Sequence, residues 1–134
     1  VDIAAGQGLI YPLLATDDVH YYDGTDTTCS YIMLACAPDA TDTELLQAIR
    51  EKRFYATQGP EVHLDIVGDE AVVRCSPAAR ITLFTNRVWG RGHSVRGENL
   101  TEHRAKLDPT ETFIRAEVTD ANGKMAWSNT IRLK

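Results

Sequence analysis

The 134-residue sequence has no apolar run near the roughly 20 residues that cross a bilayer, so no helical span and no membrane partner are expected. Cysteine is scarce. Cys29, Cys36 and Cys75 are odd in number and match no metal-ligand spacing. At least one stays unpaired, which argues against a disulfide-built secreted scaffold and for a reducing, cytoplasmic setting. Positive charge is not in excess: 14 Lys and Arg against 19 Asp and Glu leave a net charge of −5. That balance argues against nucleic acid as a partner, because phosphate contacts need a basic surface. A Gly-rich phosphate loop, a nucleophile elbow and a Ser/His/Asp set are all missing, as are internal repeats and low-complexity segments.

What is present is globular material, 43% hydrophobic and 25% charged, able to bury a core. The chain begins at Val1 rather than Met, in the segment VDIAAGQGLIYPLLATDDVH, which reads as the interior of a longer protein. Charge divides it in two. Residues 1–60 hold three basic residues (Arg50, Lys52, Arg53) against nine acidic ones, net −6; residues 61–134 hold eleven against ten, net +1. Gln58-Gly59-Pro60 punctuates the same place, so a boundary is expected there, with units at 1–58 and 59–134.

In the first unit, Leu9 to Ala15 is a short continuous apolar run, the pattern of a strand buried on both faces in a β/α layer. Residues Tyr21 to Thr28 read as a polar loop, and Tyr31 to Ala37 as a second strand. Thr41-Asp42-Thr43-Glu44 is a capping box that opens a helix to about Lys52, with Leu45, Leu46, Ala48 and Ile49 toward a core. The second unit changes period. Val62 to Ile66, Ala71 to Cys75, Ile81 to Phe84, Leu100 to Leu107, Phe113 to Thr119 and Met125 to Leu133 read as strands. Gly68-Asp69 and Asn122-Gly123 serve as tight turns, and Arg115 and Glu117 point outward. The fold class is therefore mainly β with some α: the remnant of a β/α barrel (strand, loop, strand, one helix), then an antiparallel β-sandwich of about seven strands.

Asp18-x-His20 is the one arrangement with metal chemistry. In a strand, residues i and i+2 face one side, and a carboxylate with an imidazole suits Zn, Mn or Fe. The competing reading makes Asp17 and Asp18 turn caps and packs His20 on the Tyr21-Tyr22 pair.

The run ATDDVH, followed by YIMLACAPDATDTELLQAIREKRFYATQGPEV and closed by TDANGKMAWSNTIRL, resembles the end of PHP (polymerase and histidinol phosphatase) family metal-dependent phosphoesterases, from about Leu13 to Leu133. The resemblance implies a distorted β/α barrel followed by a small carboxyl-terminal β domain. It places a metal-ligand pair on Asp18 and His20, with Asp17 behind them as an outer partner. The family's amino-terminal His-x-His is absent, and His63, His93 and His103 match no ligand motif. The resemblance thus implies a carboxyl-terminal fragment, catalytically incomplete alone, with the metal site complete only in the intact parent. In the parent enzyme divalent Zn, Mn or Fe would act on a phosphate-ester substrate. Its partner would be the missing amino-terminal part of the same barrel, and bare edges of the Leu9–Ala15 strand would invite a second copy into a homo-oligomer. The alternative is a stand-alone β-sandwich binding or assembly module.

Arg87 to Arg96 gathers three Arg, a His and a Trp with two glycines. Arg87, Trp89 and Arg91 are candidates for meeting an anionic ligand. The other reading is a solvated hairpin whose Trp89 covers the end of the sandwich.

Overall fold

The computed structural model describes residues 1–134. Its longer helix, α2 (Asp42–Arg50), forms where the local instruction is strongest. The Thr41 hydroxyl accepts from the Glu44 amide, and the Glu44 carboxylate accepts from the Thr41 amide at 2.8 Å. Two otherwise orphaned donors are satisfied reciprocally. Donation from the Thr41 amide and hydroxyl holds the Glu44 carboxyl below its usual range. Only Ala48 is fully buried, and Leu46 is exposed, so the apolar stripe is narrower than the four residues expected. A short helix, α1 (Asp2–Gly6), precedes it. No helix is long and apolar enough to cross a membrane.

The strands are β1 (Tyr31–Leu34), β2 (Phe54–Thr57), β3 (Val62–Val67), β4 (Glu70–Thr85), β5 (Ser94–Lys106), β6 (Phe113–Thr119), β7 (Met125–Ser128) and β8 (Ile131–Arg132). They form one eight-stranded antiparallel sheet in the order β1-β2-β7-β6-β4-β3, with β5 beside β4 and β8 beside β6. No β/α barrel remnant is visible among these strands. β1 runs antiparallel to β2, Tyr31 opposite Thr57, and β2 passes its other edge to β7, Ala56 opposite Trp127. A β/α barrel is built from parallel neighbours, and every pairing here is antiparallel. The sheet continues across Gln58-Gly59-Pro60.

The Leu9–Ala15 run is not a strand. A continuous apolar run predicts burial on two faces only if neighbours cover both, and here Leu9, Tyr11 and Leu14 are each more than half exposed. Pro12 offers no N–H to a ladder. The segment is tied down singly instead: the Lys52 ammonium donates to the Ile10 carbonyl at 3.1 Å, and the Leu13 amide donates to Asn129 Oδ1 at 2.9 Å.

In the second half, two expected strands merge into the 16-residue β4. The stretch between them, Pro77 included, is carried through in two register shifts, one between Arg74 and Ala78 and one between Ala78 and Arg80. β4 pairs with β3 over its first part and with β6 over its last, while β5 follows its other edge. Gly68-Asp69 is the two-residue turn expected between β3 and β4, with Gly68 at φ 63°. Asn122-Gly123 lies instead in a longer loop, where Asp120 Oδ1 accepts from the amides of Asn122 and Lys124 before Met125 pairs with Thr119.

The core is one cluster drawn from β3 to β7, including Val62, Val73, Ile81, Ile114, Val118 and Ala126. Arg115 does not point into solvent as its alternation predicts. It is buried at 7% exposure beneath α1, paired with Asp2, and its guanidinium lies 4.1 Å from the centre of the Phe84 ring. A period-2 pattern identifies two faces but cannot tell whether a distant segment covers the polar one.

Candidate functional site

The loop from Asp17 to Ser30 is organised by carboxylates that cap backbone amides. Asp17 accepts from Thr28 at 2.5 Å and from Ser30 at 2.6 Å, closing the loop's neck. Those amide bonds hold the Asp17 carboxyl below its usual range. Asp26 Oδ2 accepts from the amides of His20 at 2.6 Å and Tyr21 at 3.1 Å. Asp23 caps Thr25 through both its amide and its hydroxyl. This is the Asx chemistry expected of a polar loop.

Asp18 is the carboxylate of this loop left free. It is exposed, its side chain has no hydrogen bond, and its backbone is left-handed at φ 55°. Asp18 and His20 therefore do not face one side by strand geometry; they lie in irregular chain. They are linked differently. His20 Nδ1 lies 2.5 Å from the Asp18 carbonyl oxygen. A carbonyl only accepts, so Nδ1 carries the proton and the Nε2 lone pair is left open. Holding one imidazole nitrogen on a backbone carbonyl is how ligating histidines are commonly oriented. Asp17 bonds neither of them; its carboxylate holds the loop neck.

Nothing else joins them: no three His, Cys, Asp or Glu side chains gather as a metal-holding group anywhere in the chain. The other histidines have structural surroundings. His63 meets the Tyr55 ring edge-on, His93 pairs with Glu111, and His103 Nε2 lies 2.6 Å from the Gly92 carbonyl. The three cysteines are free thiols, and burial pushes the Cys75 thiol upward.

The Arg-rich loop between β4 and β5 has a fixed base and an open tip. Glu111 is fully buried; its carboxylate accepts from the Asp108 amide at 3.0 Å and lies 3.1 Å from His93 Nε2. Gly90 rests on the His93 ring so closely that a Cβ there would fall 2.1 Å from it. Arg87 is spent on an ion pair with Asp108. Trp89 is 73% exposed and covers no end of the sheet, so the hairpin-cover reading is corrected. Arg91 is exposed and makes no ion pair.

Sequence reading missed Asn129, the residue that ties distant parts together. Its side-chain amide donates to the Phe54 carbonyl at 2.8 Å and the Lys52 carbonyl at 3.3 Å, while its oxygen accepts from Leu13. Within Trp127-Ser128-Asn129 it reads as turn chemistry, and no local signal marks a residue whose partners lie 75 and 116 positions away. No family model, curated protein or solved structure matches the chain.

Proposed function

We propose that this chain is the carboxyl-terminal part of a PHP-type metal-dependent phosphoesterase, to which it contributes Asp18 and His20 as ligands of a divalent ion. One observation carries the reading. Two of the phrases that resemble the family, FYATQGP and AWSNTI, meet at one side chain, which also ties down the chain just before the third, ATDDVH. Asn129 of the second bonds Phe54 of the first and Leu13, two residues before the third. A group of phrases that share a structural joint is better support than phrases scattered over a fold.

The donor chemistry fits the ion. A free carboxylate and an imidazole with its Nδ1 proton engaged offer an oxygen and a nitrogen suited to Zn, Mn or Fe. Such an ion, when bound, neutralises phosphoryl oxygens and makes hydroxide available at neutral pH. Asp18 and His20 would hold it, and the Asp17 and Asp26 carboxylates fix the backbone on either side of that pair. Two donors are too few for a catalytic ion. The remaining ligands belong, in this reading, to an amino-terminal part of the same protein, and the chain by itself is inactive.

The test uses protein made from the complete reading frame. Asp18→Ala and His20→Ala should each lower bound metal and abolish hydrolysis of 4-nitrophenyl phosphate at an unchanged melting temperature. Full metal occupancy with normal turnover in either variant ends the reading.

A further inference from the structure

A cleft of about 790 Å³ opens between the two ends of the sheet, with β1 and β2 on one wall and β3 on the other. That volume is in the range of small-molecule sites. Phe54 and Val62 give it a buried apolar lining, continued by the half-buried Leu34 and Ile131. Neither Asp18 nor His20 lines it, so it stands apart from the proposed metal pair.

The charges of this cleft are unequally engaged. Its three cations all have partners. Lys52 donates to the Ile10 carbonyl, Arg53 to the Glu51 carboxylate and the Ala35 carbonyl, and Arg74 lies 3.3 Å from both Asp65 and Glu102. The polar groups without a partner are the Glu61 carboxylate, the Tyr55 hydroxyl and the His63 imidazole. Tyr55 and His63 meet edge to face across the two walls, ring centroids 5.4 Å apart. Burial, then the charge of Glu61, push the Tyr55 phenol upward, so it stays neutral.

We propose that this cleft binds a small organic cation, an arylalkyl- or alkylammonium whose apolar part lies against Phe54 and Val62. Its charge lies between the Glu61 carboxylate and the Tyr55 ring. A carboxylate, an aromatic face and an apolar floor are the elements that recognise ammonium groups. An organic anion of the same shape meets the reverse: an unpaired Glu61 and no guanidinium free to receive it.

The test titrates the chain with phenethylammonium and, separately, with 3-phenylpropionate, its counterpart of opposite charge, followed by calorimetry and by amide chemical shifts. The ammonium should bind saturably with a Kd of about 1 mM, the scale for so small a ligand. Phenylpropionate should bind at least ~10-fold more weakly. Shifts should concentrate at Phe54, Val62 and His63. Glu61 is exposed and its side chain holds nothing in place, so Glu61→Gln keeps the fold; it should weaken the ammonium by ~5-fold or more. Equal or tighter binding of phenylpropionate, no saturable binding of the ammonium, or an unaltered Kd in Glu61→Gln would each overturn the proposal.

Discussion

Asp2 and Arg115, 113 positions apart, share two parallel hydrogen bonds of 2.6 and 2.8 Å. The guanidinium is almost wholly enclosed, so its charge depends on the Asp2 carboxylate, with Glu117 as a more distant neighbour at 3.6 Å. Truncating one partner of an enclosed ion pair strands the other.

Asp2→Ala should therefore cost about 1–2 kcal/mol, less than a fully buried pair because the Asp2 side chain is 38% exposed. Urea denaturation of both proteins measures it. The contribution also depends on pH. Arg115 holds the Asp2 carboxyl below its usual value, so the contribution is complete above the unfolded-state value of about 3.9 and disappears as pH falls through the lower folded value. The stability difference between wild type and Asp2→Asn should be flat near neutrality and shrink below about pH 4.

Asn129→Ala should cost about 2 kcal/mol, because it removes bonds to the Phe54 and Lys52 carbonyls and to the Leu13 amide together. Hydrogen exchange gives the specific sign. The Leu13 amide should lose protection more than amides in the middle of β4.

Gly90→Ala should cost about 2 kcal/mol or more, since a methyl there displaces the His93 ring and leaves the buried Glu111 carboxylate without its imidazole. Thermal melting measures the loss. Gly92→Ala supplies a contrast: its added Cβ meets nothing closer than 4.0 Å, so strain from its positive φ of 78° is the main cost.

The chain alone should show no metal-dependent phosphatase turnover, and Asp18→Ala and His20→Ala should melt within about 2 °C of wild type, as exposed loop residues do. A loss of about 1–3 kcal/mol on removing His20 would instead mark it as a packing residue. Measurable turnover that Asp18→Ala abolishes would show that two donors suffice.

The sequence reading succeeded where the cause is local. The Thr41–Glu44 box and the Gly68-Asp69 turn are complete within a few residues, and both stand as read. It went astray where a partner far along the chain decides the outcome. Leu9 to Ala15 reads as a strand by composition, yet an open flank and Pro12 leave it unpaired. Arg115 reads as a surface residue by alternation, yet α1 covers it. Ala71 to Cys75 and Ile81 to Phe84 read as two strands, though register shifts between them let β4 continue. At the candidate site, residue types reveal that Asp18 and His20 are suitable donors. Only the folded loop shows which imidazole nitrogen the Asp18 carbonyl occupies.

The length of β4 has a kinetic consequence. A strand that gives its first part to β3, its last part to β6 and much of its other side to β5 denies either end of the molecule a private transition. Opening one end exposes backbone that the other end needs in place. The slowest-exchanging amides of Ala71–Val73 and of Ile81–Leu83 should then report a single opening event, with one rate and one denaturant dependence.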